Sequence, residues 1–71
     1  MSYNRLESWF NKAQKLGEKE KYLEAIKYYK KVLSDDKSQK GAWVNIGWCY
    51  NRLKKPNEAI KYCKWALEII G

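Results

Sequence analysis

The chain has 71 residues, 45% of them hydrophobic, with four Trp, six Tyr and one Phe but only four Gly and one Pro. That composition excludes a disordered tail and argues against a turn-rich β domain; the length allows one small domain that buries only about 60% of its unfolded surface. A net charge of +7, from 15 basic residues against eight acidic ones, favours anionic partners but carries no information about fold.

The first predicted helix spans about residues 3–18, where Leu6, Trp9, Phe10, Ala13, Leu16 and Gly17 follow the three-and-four step of one helix face. Its end is weakly marked, because the Glu-Lys-Glu-Lys run after Gly17 could continue a helix. The second spans about 22–35, with Tyr22, Leu23, Ile26, Tyr29, Val32 and Leu33 as its stripe. Residues 34–38, Ser-Asp-Asp-Lys-Ser, form a polar break, and Ser38 is placed to cap the next helix. The third, about 39–53, carries Trp43, Ile46, Gly47, Tyr50 and Leu53. Pro56 opens the fourth, about 56–70, in the first turn where a missing N–H is no loss. Its stripe is Ile60, Cys63, Trp65, Ala66, Leu67 and Ile70. No segment alternates with period two for long enough to suggest a strand, and the short loops predict antiparallel neighbours.

The chain also repeats itself every 34 residues without a gap. Trp9 matches Trp43, Asn11 matches Asn45, and Glu24, Ala25, Ile26, Lys27 and Tyr28 match Glu58, Ala59, Ile60, Lys61 and Tyr62. Lys30 and Leu33 match Lys64 and Leu67. A fixed period of this kind marks supersecondary units that stack to share a core. Gly47 and Ala13 have almost no side chain, so a neighbouring helix can approach closely; Ala25, Ala59 and Ala66 do the same on the second helix of each pair, and Trp9 and Trp43 fill the wider gaps.

These residues resemble the tetratricopeptide repeat, whose pattern runs W-x2-L-G-x2-Y, then A-x3-F, then P. The second unit follows it with Trp43, Ile46, Gly47, Tyr50, Ala59 and Cys63; the first is poorer, with Trp9, Lys12, Ala13, Leu16, Ala25 and Tyr29. The closing Pro is absent from both, with Lys37 and Gly71 in its place. The resemblance implies an all-α fold: two antiparallel helix-turn-helix hairpins, four helices, stacked as a short right-handed α-solenoid. It makes residues 1–71 a single domain, with repeat one about 6–39 and repeat two about 40–71.

Nothing in the chain points to catalysis. There is no His, hence neither the commonest general base nor the commonest metal ligand, and no Gly-rich phosphate loop. Cys49 and Cys63 lack a nearby ligand set and are too few for a disulfide framework; they are expected as reduced core residues. No catalytic residue, metal or cofactor is expected. No apolar run is long enough to span a membrane and no signal-peptide core opens the chain, so no membrane partner and a cytoplasmic location are expected.

The resemblance implies instead a protein–protein interaction module, binding a peptide or helix of a partner in a concave groove lined by the first helix of each pair. The groove stripe would be Glu7, Phe10 and Gln14, then Gly41, Val44, Trp48 and Asn51, with Asn11, Asn45 and Arg52 at its edge. Phe10, Val44 and Trp48 have no place in the repeat's own packing pattern, and exposed apolar clusters mark contact sites. Asn45 resembles the asparagine with which some family members hold a peptide's backbone. Phe10 and Gln14 stand where that clamp needs lysine and asparagine, so recognition of a C-terminal dicarboxylate is not expected.

A second reading is a basic module binding nucleic acid through Lys27, Lys30, Lys31, Lys61 and Lys64, interleaved with Tyr28 and Tyr62. Against it stands a solvated face, lysine stems over tyrosine rings, with helix pairs Glu24–Lys27 and Glu58–Lys61. A third is a minimal or engineered repeat unit that self-assembles. The last helix carries Trp65, Leu67, Ile69 and Ile70, more apolar surface than one partner helix covers. Either a homo-oligomer or a fragment of a longer repeat array would cover it.

Overall fold

Four helices make up most of the described residues: α1 (Ser2–Glu18), α2 (Tyr22–Asp35), α3 (Lys40–Arg52) and α4 (Pro56–Ile70). The computed structural model describes residues 2–70, and the side-chain surroundings of residues 5–68. Among the described residues there is no strand. α1 packs on α2, α2 on α3 and α3 on α4, giving two hairpins in a slab of 35 × 30 × 13 Å. The helix bounds fall within one residue of those the apolar spacing predicts.

The weakly marked break after Gly17 is a real helix end, made by a device the sequence hides. The Glu20 N–H donates to the Gly17 carbonyl and the Lys21 N–H to the Leu16 carbonyl, at 3.0 and 2.9 Å. One repeat on, the Lys54 N–H reaches Asn51 and the Lys55 N–H reaches Tyr50, at 3.0 and 2.9 Å. This doubled closure satisfies the last carbonyls of a helix and needs a left-handed residue at its turn, normally glycine. Here Glu20 and Lys54 take that conformation, with φ of 63° and 61°. A side chain with a Cβ is strained there, and the strain exceeds the extra unfolded-state freedom of glycine. Glu20→Gly and Lys54→Gly should therefore each stabilise the fold by about 0.5–1 kcal/mol. Together they should raise the melting temperature by on the order of 10 °C, read by circular dichroism; a fall would show that the turns are not left-handed.

The α2–α3 connection corrects one expectation. Ser38 is not the cap of α3: Gln39 holds that position and makes no side-chain cap hydrogen bond. Asp36 organises the turn instead, accepting from the Ser38 hydroxyl at 2.6 Å, the Ser38 N–H at 3.0 Å and the Gln39 amide at 3.0 Å. Those donors, the Ser38 hydroxyl first, hold its carboxyl below the usual carboxylate range. The Trp43 indole N–H donates to the Lys37 carbonyl at 2.8 Å, so the loop is tied to α3 from both sides.

The core lies between α1, α2 and α3: Ala13, Ala25, Ile26, Tyr29, Val32, Leu33, Ala42, Ile46 and Cys49. The small residues sit where close approach requires them. A Cβ added at Gly47 would stand 3.0 Å from the Cys63 sulfur and 3.2 Å from the Ala59 carbonyl oxygen of α4. Ala59 and Ala66 are buried on the same side of α4. One sequence expectation fails on this helix. Cys63 is exposed rather than core, Ile60 is 56% exposed and Leu67 69%, because no described helix covers that side of α4. Leu23 on α2 is likewise exposed. Both cysteines are free thiols.

Candidate interaction site

The facing surfaces of α1 and α3, with the middle of α2 beneath them, build an open hollow of about 360 Å³. α1 contributes Gln14, Gly17 and Glu18, α3 contributes Asn45, Trp48 and Cys49, and Tyr29 of α2 forms the floor. The Trp48 ring packs beside Gly17, 4.0 Å from where a Cβ would stand, which is an ordinary van der Waals distance. Trp48 is 49% exposed, yet it is held: Tyr22 meets it edge-on at 5.7 Å, and the Arg52 guanidinium lies 5.6 Å from its ring centre. Arg52 is itself oriented by donating to the Tyr22 hydroxyl at 3.3 Å.

On the floor, the Asn45 amide donates to the Tyr29 hydroxyl at 3.2 Å. That leaves the Asn45 carbonyl oxygen as an acceptor. Burial, with a smaller contribution from nearby Cys49, pushes the Tyr29 hydroxyl up to about 12. Burial also pushes the Cys49 thiol up to about 11, so it stays protonated and unreactive at neutral pH. The hollow thus offers a neutral, hydrogen-bonding floor beside an apolar wall.

Of the residues the sequence placed in the groove, Gln14, Asn45 and Trp48 come together here, with Arg52 against Trp48. Val44, 44% exposed, and Asn51, exposed, lie along the same helix without lining the hollow. Phe10 lines a different hollow, with Leu6, Glu7 and Asn11. It has a packing duty after all, half-buried edge-on against Tyr29 at 5.3 Å, with its ring tip 3.2 Å from the Cβ position of Gly41. Asn11 does not line the Trp48 hollow; it lines a separate open hollow of about 560 Å³ with Glu7, Ser8, Lys12 and Lys15. Sequence reasoning missed Tyr29, Tyr22, Gly17 and Glu18. The one available signal was Tyr29 at a position the repeat pattern gives to Phe, which puts a hydroxyl on a core ring.

The opposite side of the hairpins holds a cluster the sequence did not disclose. Tyr62 stacks on Tyr50 at 5.5 Å and meets Trp65 edge-on at 4.9 Å, while Trp43 touches both Tyr62 and Trp65. Trp65 is therefore an internal contact of the α3–α4 hairpin, although 39% of it remains exposed. The side chains of Ile69 and Ile70 lie outside the described residues.

Two family models, each described as a tetratricopeptide repeat, match residues 6–37 and 41–70. The chain belongs to the tetratricopeptide repeat family. No curated protein matches it. Tetratricopeptide repeats generally mediate protein–protein interaction, and the family is typically non-catalytic. Among the described residues no three His, Cys, Asp or Glu side chains gather as metal ligands, and no helix is long and apolar enough to cross a membrane.

On the basic side of this tetratricopeptide pair the aromatic faces are occupied by the chain's own cations. Lys12 and Lys31 lie 5.1 Å from the Tyr28 ring centre, Lys31 and Arg5 lie 5.7 and 5.4 Å from Trp9, and Lys30 lies 5.8 Å from Tyr62. The pairs Glu24–Lys27 and Glu58–Lys61 do not close among the described residues. The ion pair that does is Arg5–Asp35 at 2.8 Å, joining the start of α1 to the end of α2.

Proposed function

We propose that this repeat pair binds a segment of a protein partner across the α1–α3 face, seating an apolar side chain in the hollow beside Trp48. The observation that carries the reading is Trp48 itself: a large ring, half-exposed, fixed by Tyr22 and Arg52 at the mouth of a hollow. A pre-fixed aromatic loses little freedom on binding, and tryptophan is enriched at the centres of interfaces. Gln14 and the Asn45 carbonyl supply hydrogen bonds to a peptide backbone. The charges bordering the hollow, Glu18 and Arg52, are opposite in sign, which favours a segment without strong net charge despite the basic chain. The lysine–tyrosine side fits nucleic acid less well, since bases need the ring faces that Lys12, Lys30 and Lys31 cover.

The test is selection from a displayed random-peptide library, followed by affinity measurement on the chain and on Trp48→Ala. Selected peptides should carry a common apolar position and lose about tenfold or more in affinity on Trp48→Ala. Helicity should be unchanged, because the ring is half outside. Peptides that bind the variant equally well would overturn the reading. So would tight binding to mixed-sequence RNA or DNA that falls steeply between two salt concentrations, the signature of phosphate contacts.

A further inference from the structure

The internal repeat permits a comparison of each helix with its own copy in a different environment. α2 has a helix on both sides, α1 and α3; α4 has α3 alone among the described helices. Positions that face the helix of their own hairpin stay buried in both copies: Ala25 and Ala59, Val32 and Ala66. Positions on the other side change completely. Ile26 is 4% exposed and its mate Ile60 56%; Leu33 is 8% and its mate Leu67 69%; Tyr29 is buried and its mate Cys63 exposed. Ile60 and Leu67 thus mark the repeat's helix-receiving face, apolar and uncovered among the described helices, with Cys63 at its edge, its sulfur beside Gly47 of α3.

The other end of the slab is built differently. On α3, the face docked against its neighbours carries Ala42, Ile46 and Cys49, all buried. Its mates on α1 are Ser8, Lys12 and Lys15, all exposed. A second molecule stacked head to tail in the manner of the repeat would press two lysines onto Ile60 and Leu67. Burying unpaired charge against apolar side chains is strongly unfavourable. Leu23 on α2 and Val44 and Trp48 on α3 are also exposed, but the pairing that closes on itself brings to this face the same face of the second copy's α4.

We propose that two copies of the chain pair through α4 about a two-fold axis, with Ile60, Cys63 and Leu67 of each at the contact. Such an interface is self-complementary and closes at two, whereas a head-to-tail contact would extend. In an antiparallel pairing, Ile60 of one copy meets Leu67 of the other, and residues 63 and 64, midway between them, lie next to the axis. One helix pair covers less than the roughly 1,200 Å² of a standard stable interface, so the dimer is weak. Each copy carries +7, so added salt strengthens it. This separates it from nucleic-acid binding, which salt weakens, and from peptide binding at Trp48, which lies on α3.

Sedimentation equilibrium up to millimolar concentration tests the association, on the chain and on Ile60→Lys/Leu67→Lys. Both sites are exposed, so the double variant should keep its helicity and become monomeric. Cross-linking tests the geometry, using copper phenanthroline in air to oxidise a thiol pair through Cys63, or through Lys64→Cys on a Cys63→Ser background. Cys49 is buried and silent. A disulfide-linked dimer should form at one or both positions, at least tenfold faster than in the Ile60→Lys/Leu67→Lys variant, which retains Cys63 and reports random collision. A parent that stays monomeric, a series of species larger than the dimer, or cross-linking no faster than in the variant would each overturn the proposal.

Discussion

Gly47→Leu should abolish the cooperative thermal transition of the native chain, while Gly47→Ala should only lower its midpoint. The added Cβ meets two atoms of α4 of different stiffness, the Cys63 sulfur at 3.0 Å and the Ala59 carbonyl oxygen at 3.2 Å. The sulfur can rotate away; the carbonyl is part of a helix and can yield only if α4 moves. Alanine at this position gains about 1 kcal/mol of helix propensity over glycine, which offsets part of a displacement of a few tenths of an ångström. Leucine gains the same and adds three further carbons that have no space. Overpacking costs typically 1–3 kcal/mol and more where backbone must shift, against a total stability for a chain of this size of roughly 4–10 kcal/mol. Loss of α4 would also dismantle the Tyr62–Trp65–Trp43 cluster, so tryptophan fluorescence should report the change alongside circular dichroism. A Leu variant that melts like the parent would mean that Gly47 does not face α4.

The reason this position could be read from sequence is that close packing writes itself into residue size. A glycine in a helix interior, recurring as Ala13 one repeat earlier, has few explanations other than a near neighbour. The helix bounds were legible for a similar reason, since apolar spacing and loop composition act locally. What was not legible depends on contacts between elements. The pattern marks Ile60, Cys63 and Leu67 as apolar but cannot say whether a helix covers them. Phe10 stands where the groove stripe runs, and only the fold shows its ring edge-on against Tyr29. Ser38 has the chemistry of a cap, but Asp36 two residues earlier captures its hydroxyl. The turn after α1 was obscure because Glu20 does the work of glycine there, as Lys54 does after α3. At the hollow, Trp48, Gln14 and Asn45 could be found by their repeat positions, whereas Tyr29 could not, because its ring belongs to the core and only its hydroxyl to the site.

Tyr29→Ala should destabilise the chain by roughly 3–5 kcal/mol, the range for emptying the space of a buried aromatic ring. Tyr29 is 3% exposed and sits where three helices converge: its ring meets Phe10 of α1, its own helix is α2, and its hydroxyl accepts from Asn45 of α3. The loss approaches the whole stability of so small a domain, so the variant should be largely unfolded at room temperature. Tyr29→Phe separates ring from hydroxyl. It keeps the packing and removes one neutral hydrogen bond, at a cost of about 0.5–1.5 kcal/mol, because the Asn45 amide borders the hollow and can turn to water. The two variants also differ from the parent in alkali. The Tyr29 hydroxyl is raised from 10.0 to about 12 by burial. Its protonated form is thus favoured in the folded state, and the associated stability is complete below pH 10 and is lost as pH rises from 10 toward 12. Urea titrations at pH 9 and pH 11 should therefore show a smaller decline for Tyr29→Phe than for the parent. Equal declines would place the Tyr29 hydroxyl in contact with solvent, and with it would fall the assignment of Tyr29 as the buried floor of the hollow.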